Sequence, residues 1–290
     1  MRRSGLTTYR KLGIKAWIVV MAASAFTATV ATPAGAAPPA GGIYVALGSS
    51  FAAGPGIPPQ QPGSPPACGR SQANYATLVA RHYGMGLHDV SCQGAIAADI
   101  LTTSQHGQPP QIEAVGPDTD LVTITIGGND VDYLGSLLAY SCHNSNGRDC
   151  KTVDQSNIDR ALRNVALWIG HVVEAVLQRT THAVVLLVNY LTVLPQVGPP
   201  CGGVPLTNDE LSFEWSVANR LEAATSEAAK HRGAYVVHAA AESRGHDACS
   251  SDPWVEQYRP RPGRTPYHPN ETGMTKVADL IEATLAKIPG

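Results

Sequence analysis

The sequence predicts an α/β domain of three layers, with a mostly parallel central sheet covered by helices on both faces. Three observations carry that expectation. Apolar, β-branched runs at 43–47, 121–126 ("LVTITI") and 183–188 ("AVVLLV") have the composition of strands buried on both sides. Segments with apolar residues at helical spacing lie between and after them. No internal repeat or second composition block interrupts this alternation, which is the order of a strand–helix–strand fold.

In chain order, the 43–47 strand leads into a Pro/Gly-rich loop at 54–66 and a helix near 73–83. A short strand at 87–91 ends in Cys92-Gln93-Gly94, and the 121–126 strand ends in Gly127-Gly128. Ile158, Leu162, Val165, Ile169, Val172, Val173 and Val176 recur every three or four residues, so one long amphipathic helix is expected over 155–179. Thr207 and Glu210 form a capping box that opens the next helix, with Gly233 as its stop. A last strand at 235–238 precedes a final helix, capped by Asn270 and running towards Lys287. Stretches 136–150 and 195–207 are expected to be surface loops pinned by cysteines.

The N-terminal residues stand apart from this pattern. Arg2, Arg3, Arg10, Lys11 and Lys15 precede an apolar run from Ala16 to Ala31, which is followed by Thr32-Pro33-Ala34-Gly35-Ala36, the layout of a secretory signal peptide cleaved after Ala36. The run is shorter than the ~20 residues a membrane span needs, and no other stretch is apolar enough to span. The organisation expected is therefore a signal peptide at 1–36, a spacer at 37–42 and one domain at 43–290. Cleavage removes five of the 21 basic residues and none of the 23 acidic ones, leaving a net charge of −7. That excess of negative charge argues against nucleic acid or an anionic membrane surface as the main partner.

Six cysteines, Cys68, Cys92, Cys142, Cys150, Cys201 and Cys249, all fall after the leader. An even count in an exported chain reads as disulfides. Fifteen pairings are possible, and the sequential one is the simplest. A zinc site is the rival reading, with His143 beside Cys142 and His246 near Cys249, but there is no C-x-x-C spacing to support it. No metal and no cofactor is expected.

Ligands of open parallel sheets bind beyond the carboxyl ends of the strands, so the residues that follow each strand carry the chemistry. These are Gly48-Ser49-Ser50, Gly94, and Gly127-Gly128-Asn129-Asp130, with Asp130 read as a helix or loop cap. "TPYHPNETGM" at 265–274 adds His268 directly before the last helix. Gly69-Arg70-Ser71-Gln72-Ala73 is a poor nucleophile elbow, because it lacks the final glycine and follows no strand. Val131, Tyr133, Leu134 and Leu138 are candidates either for an acyl pocket or for the core.

These pieces resemble the SGNH hydrolases, also called the GDSL esterase/lipase family. "GSS" at 48–50 stands where that family has G-D-S, Gly94 and "GGND" match its second and third blocks, and "HPN" with Gly273 matches its fifth. The resemblance covers essentially the whole mature chain and implies a flavodoxin-like sheet, with Ser50 as nucleophile and His268 as base. It further implies an oxyanion hole made of the Ser50 N–H, the Gly94 N–H and the Asn129 amide. The cysteine spacings are similar to those of secreted actinobacterial lipases with three disulfides.

Two departures stand out. Ser49 replaces the motif Asp, and Thr265 stands where the family places an Asp three residues before the histidine. An imidazole needs a partner that fixes its tautomer. The Thr265 carbonyl is the expected substitute, with Asp252 and Glu256 as weaker candidates. Activity is then expected to rise through the histidine titration near its ordinary value of about 6.5.

The function implied is a secreted, monomeric serine esterase or lipase acting on small-molecule or lipid esters through an acyl-enzyme. The alternatives are a catalytically inactive module that binds glycans or lipids, and a polysaccharide O-deacetylase.

Overall fold

The structure is a computed structural model and describes residues 41–230 and 232–289. The expected signal peptide at 1–36 and most of the spacer lie outside the described residues. Five strands and nine α-helices follow one another among the described residues. They run β1 (Ile43–Gly48), α1 (Ser50–Ala53), α2 (Tyr75–Tyr83), β2 (Gly86–Asp89), α3 (Ala97–Leu101) and β3 (Thr119–Thr125). Next come α4 (Tyr133–Asn144), α5 (Gln155–Leu162), α6 (Val165–Arg179) and β4 (Val184–Val188). The chain ends with α7 (Asn208–Ala229), β5 (Tyr235–Val237), α8 (Ala239–Glu242) and α9 (Glu271–Leu285).

All five strands are parallel, in the order β2-β1-β3-β4-β5. The crossover from β1 to β2 runs one way along the sheet and every later crossover runs the other way. With right-handed connections, that reversal puts α2 on one face and α3, α6 and α7 on the opposite face. α9 packs on α2, and α6 packs on α7 and α3. The strands that read as continuous apolar runs, β1, β3 and β4, are the central ones and are buried along nearly their whole length. The two edge strands are short and partly exposed, which limits pairing with other chains.

Three expectations differ. The 155–179 helix is broken at Arg163-Asn164, where the Asn164 side chain donates to the Arg160 carbonyl at 2.9 Å. A side-chain amide that takes a backbone acceptor competes with the helical ladder. The 136–150 stretch is not all loop: α4 extends through Asn144, and only the residues after it, tied by Cys142–Cys150, are irregular. Its buried stripe includes Ser136 and Ser141 as well as Leu137, so apolar periodicity does not mark it. The 195–207 stretch is a loop as expected, and the Thr207/Glu210 capping box opens α7, which ends at Ala229, short of Gly233.

The cysteines form Cys68–Cys92, Cys142–Cys150 and Cys201–Cys249, the sequential pairing. With every thiol in a bridge, the zinc reading has no thiolate ligands. Among the described residues no helix is long and apolar enough to cross a membrane.

One core position is out of keeping with its surroundings. Glu214 of α7 is fully buried, and neither carboxyl oxygen has a hydrogen-bond partner among the described residues. Burial pushes its pKa up to about 8, so the group is neutral at pH 7. The unfolded carboxyl ionises near 4.3 and the folded one only near 8, so stability falls as pH rises through that window. Glu214→Gln is expected to raise Tm by about 5 °C at pH 9 and to change it little at pH 4. Thermal melts at the two pH values check this, and an equal shift at both would contradict it.

Candidate active site

Gly48 closes β1 with φ +138°, and a Cβ placed there would lie 2.4 Å from the Thr125 carbonyl of β3. Only glycine fits, and this close approach is what turns the chain sharply at the sheet edge. The Gln111 side chain grips the same residue from both sides. Its Oε1 accepts from the Gly48 N–H at 2.7 Å, and its Nε2 donates to the Gly48 carbonyl at 3.0 Å. Ser50 therefore begins the one-turn helix α1 from a fixed position, with its own N–H unused by that helix.

The Ser50 hydroxyl lies 2.8 Å from His268 Nε2, and both residues are largely buried. His268 Nδ1 lies 2.7 Å from the Pro266 carbonyl. A carbonyl can only accept, so Nδ1 carries the proton and Nε2 presents a lone pair to the serine. Burial pushes the His268 pKa down to about 4, and the Pro266 hydrogen bond opposes this only in part. The imidazole is thus a neutral acceptor at any pH well above 4. A histidine-controlled acid limb belongs near 4, not near the ordinary value used in the sequence-based expectation.

The partner of Nδ1 corrects another expectation. Residues 265–268 form a tight turn in which the His268 N–H donates to the Thr265 carbonyl at 3.3 Å, so that carbonyl points at the backbone. Tyr267 takes φ +59°, and its ring is buried with its hydroxyl 2.6 Å from Ser141 of α4. The turn swings the imidazole over Pro266. The Thr265 hydroxyl donates to the Pro55 carbonyl at 3.1 Å, tying the histidine loop to the segment after α1. Asp252 and Glu256 do not serve the imidazole: the Asp252 carbonyl meets His246, and Glu256 pairs with Arg264.

Asn129 and Asp130 follow β3, and both reach the segment after β2. Asn129 Nδ2 donates to the Ala95 carbonyl at 2.9 Å, leaving its second N–H for another acceptor. The N–H groups of Ser50 and Gly94 have no hydrogen-bond partner among the described residues. Gly94 adopts φ +80°, and a Cβ there would have room, so its left-handed backbone, not crowding, selects glycine. Ser50 and Asn129 come from β1 and β3, the adjacent strands where the crossover direction reverses, which is where ligands of such sheets bind.

Two supporting residues escape the sequence reading. Tyr190, just past β4, accepts the Gly128 N–H at 2.9 Å and lies 3.2 Å from the Ser49 hydroxyl, so Ser49 joins a network linking three strand ends. Its position after "AVVLLV" was a signal available from the sequence, whereas Gln111 had none. Val131, Tyr133 and Leu134 are buried in the core, and Leu138 packs against it. An open, largely apolar cleft of about 450 Å³ lies elsewhere, between α3 and α6, lined by Ile96, Leu101, Trp168 and Asn129 among others. A void of about 30 Å³ behind Tyr190 has room for water but not for an ester.

Residues 46–276, which span every element of this site, match the model of the GDSL-like Lipase/Acylhydrolase family. The chain belongs to that family, and its enzyme class is carboxylic ester hydrolase. It is 32% identical over 246 residues to Lipase 2 of Streptomyces coelicolor, covering 81% of this chain and 83% of that protein. The crystal structure of an extracellular lipase from Streptomyces rimosus superposes with a TM-score of 0.67 at 26% identity, over 83% of this chain and 99% of that one. The structure of phospholipase A1 from Streptomyces albidoflavus shares the fold, with a TM-score of 0.67 at 24% identity, over 84% and 99% of the two chains.

Proposed function

We propose that the chain is a secreted serine esterase or lipase that cleaves carboxylic esters through an acyl-enzyme on Ser50. The observation that carries this reading is the 2.8 Å contact between the Ser50 hydroxyl and the unprotonated nitrogen of His268. A serine hydroxyl is a weak nucleophile until a base takes its proton as it attacks. Nε2 accepts that proton while the oxygen adds to the ester carbonyl, and returns it to the departing alcohol as the tetrahedral adduct collapses. Water then attacks the acyl group with the same base, releasing the acid and restoring Ser50.

The new negative charge falls on the former carbonyl oxygen. Three donors support it in this reading: the N–H groups of Ser50 and Gly94 and the second N–H of Asn129. The Pro266 carbonyl does the orienting work, holding the correct tautomer while the imidazolium forms. The apolar cleft beside Asn129 takes the acyl chain, with Ile96, Leu101 and Trp168 as its walls. The lipase names of the relatives, the extracellular lipase among the structural neighbours, the basic-apolar leader and the three disulfides support a secreted enzyme.

A fluorophosphonate probe tests the reading, because it reacts only with an activated serine. The mature protein is expected to be labelled at Ser50, located by peptide mapping. A folded, unlabelled protein would instead point to a binding module with a dead site.

A further inference from the structure

Among the described residues Gly94 makes no hydrogen bond of its own, so its position depends on how its neighbours are fastened. Upstream, the Cys92 N–H donates to the Gly48 carbonyl at 3.0 Å, the Gln93 N–H donates to the Cys68 carbonyl at 3.1 Å, and the Gln93 carbonyl accepts from Gln105 at 2.9 Å. Downstream, the ties to the sheet come from two consecutive residues at the end of β3. Asn129 holds the Ala95 carbonyl at 2.9 Å, and Asp130 accepts the Ala97 N–H on both carboxylate oxygens, at 3.0 and 3.1 Å. The contact from Asp99 to the Ile96 N–H is local to α3 and fixes nothing to β3.

We propose that Asp130 is a positioning residue for the oxyanion-binding turn, holding segment 92–97 against the end of β3 through the Ala97 N–H and so fixing the Gly94 N–H for the developing charge. This rests on the acyl-transfer reading above. Asp130 touches no reacting atom and acts through Ala97 and Gly94.

The groups around Asp130 make the tie sensitive to pH. Asp99 of α3 is near enough to oppose its ionisation, His171 of α6 lines the same cleft, and Tyr190 lies at the end of β4. Burial pushes the Asp130 pKa up to about 6, with the Ala97 N–H pulling against it. Protonation turns one acceptor oxygen into a donor and removes the charge from the remaining bond, which weakens it. Because His268 titrates near 4, an acid limb near pH 6 reports the turn and not the base.

The test is kcat and KM for a p-nitrophenyl ester from pH 4.5 to 8.5, for wild type, Asp130→Ala and the isosteric Asp130→Asn. Wild-type kcat is expected to fall with a midpoint near 6 at steady KM. Asp130→Ala loses about tenfold in kcat at pH 8, part of the 10²–10³ that losing a whole donor costs. Asp130→Asn retains several-fold more kcat than Asp130→Ala at pH 8, since its amide oxygen still accepts from Ala97, and its limb near 6 is gone. An active, Ser50-labelled wild type without a limb near 6, or one whose limb persists in Asp130→Asn, overturns the proposal alone. So does an alanine variant that changes Tm or KM but not kcat. A wild type that is neither labelled nor active overturns the acyl-transfer reading, and this proposal with it.

Discussion

Alanine at position 50 is expected to lower kcat for ester hydrolysis by about 10⁴–10⁶-fold, and His268→Ala by a similar factor. The double variant should be no worse than either single one, because nucleophile and base work only as a pair. The loss follows from the geometry: among the described residues the Ser50 hydroxyl and His268 Nε2 are each other's hydrogen-bond partners, at 2.8 Å, so removing either leaves the other side chain without its partner. Tm is expected to move by only a few degrees in Ser50→Ala, since the change removes one hydroxyl and fills no space. Burst and steady-state kinetics on the three variants check this. Residual kcat within tenfold of wild type, or losses that multiply in the double variant, would remove the pair from the mechanism.

Asn129→Ala is expected to cost about 10²–10³ in kcat with KM nearly unchanged, the signature of a donor that matters chiefly in the transition state. The substitution also strips the Ala95 carbonyl of its partner, a stability loss of about 1 kcal/mol that a melt would show separately. Asn129→Asp keeps the size and offers no donor, placing an acceptor where negative charge develops, so it should be at least as poor as alanine. If KM rises while kcat holds, Asn129 binds the ester in its ground state and the oxyanion assignment fails.

Much of this was legible because strand ends in a parallel sheet are few and each is followed by its own short signature. β1, β3 and β4 announced themselves as apolar runs, and Ser50, Gly94 and Asn129 lie within five residues of the ends of β1, β2 and β3. His268 was legible from its proline-bracketed loop before a well-capped helix. What stayed hidden depended on directions in space. Whether the carbonyl of Thr265 or of Pro266 faces the imidazole is settled by the turn and by the positive φ of Tyr267, neither visible in "TPYH". Gln111 grips Gly48 across 63 residues of chain from a segment with no motif. The break at Asn164 and the serine-lined inner face of α4 are cases where a local polar group overrides the period that apolar residues suggest.

Ser50 and His268, the proposed nucleophile and base, lie 218 positions apart, and His268 shortly precedes α9, which docks on α2. A chain synthesised only as far as β5 carries the proposed nucleophile without its proposed base. On the acyl-transfer reading, activity therefore requires that the sheet is assembled and α9 has docked on α2.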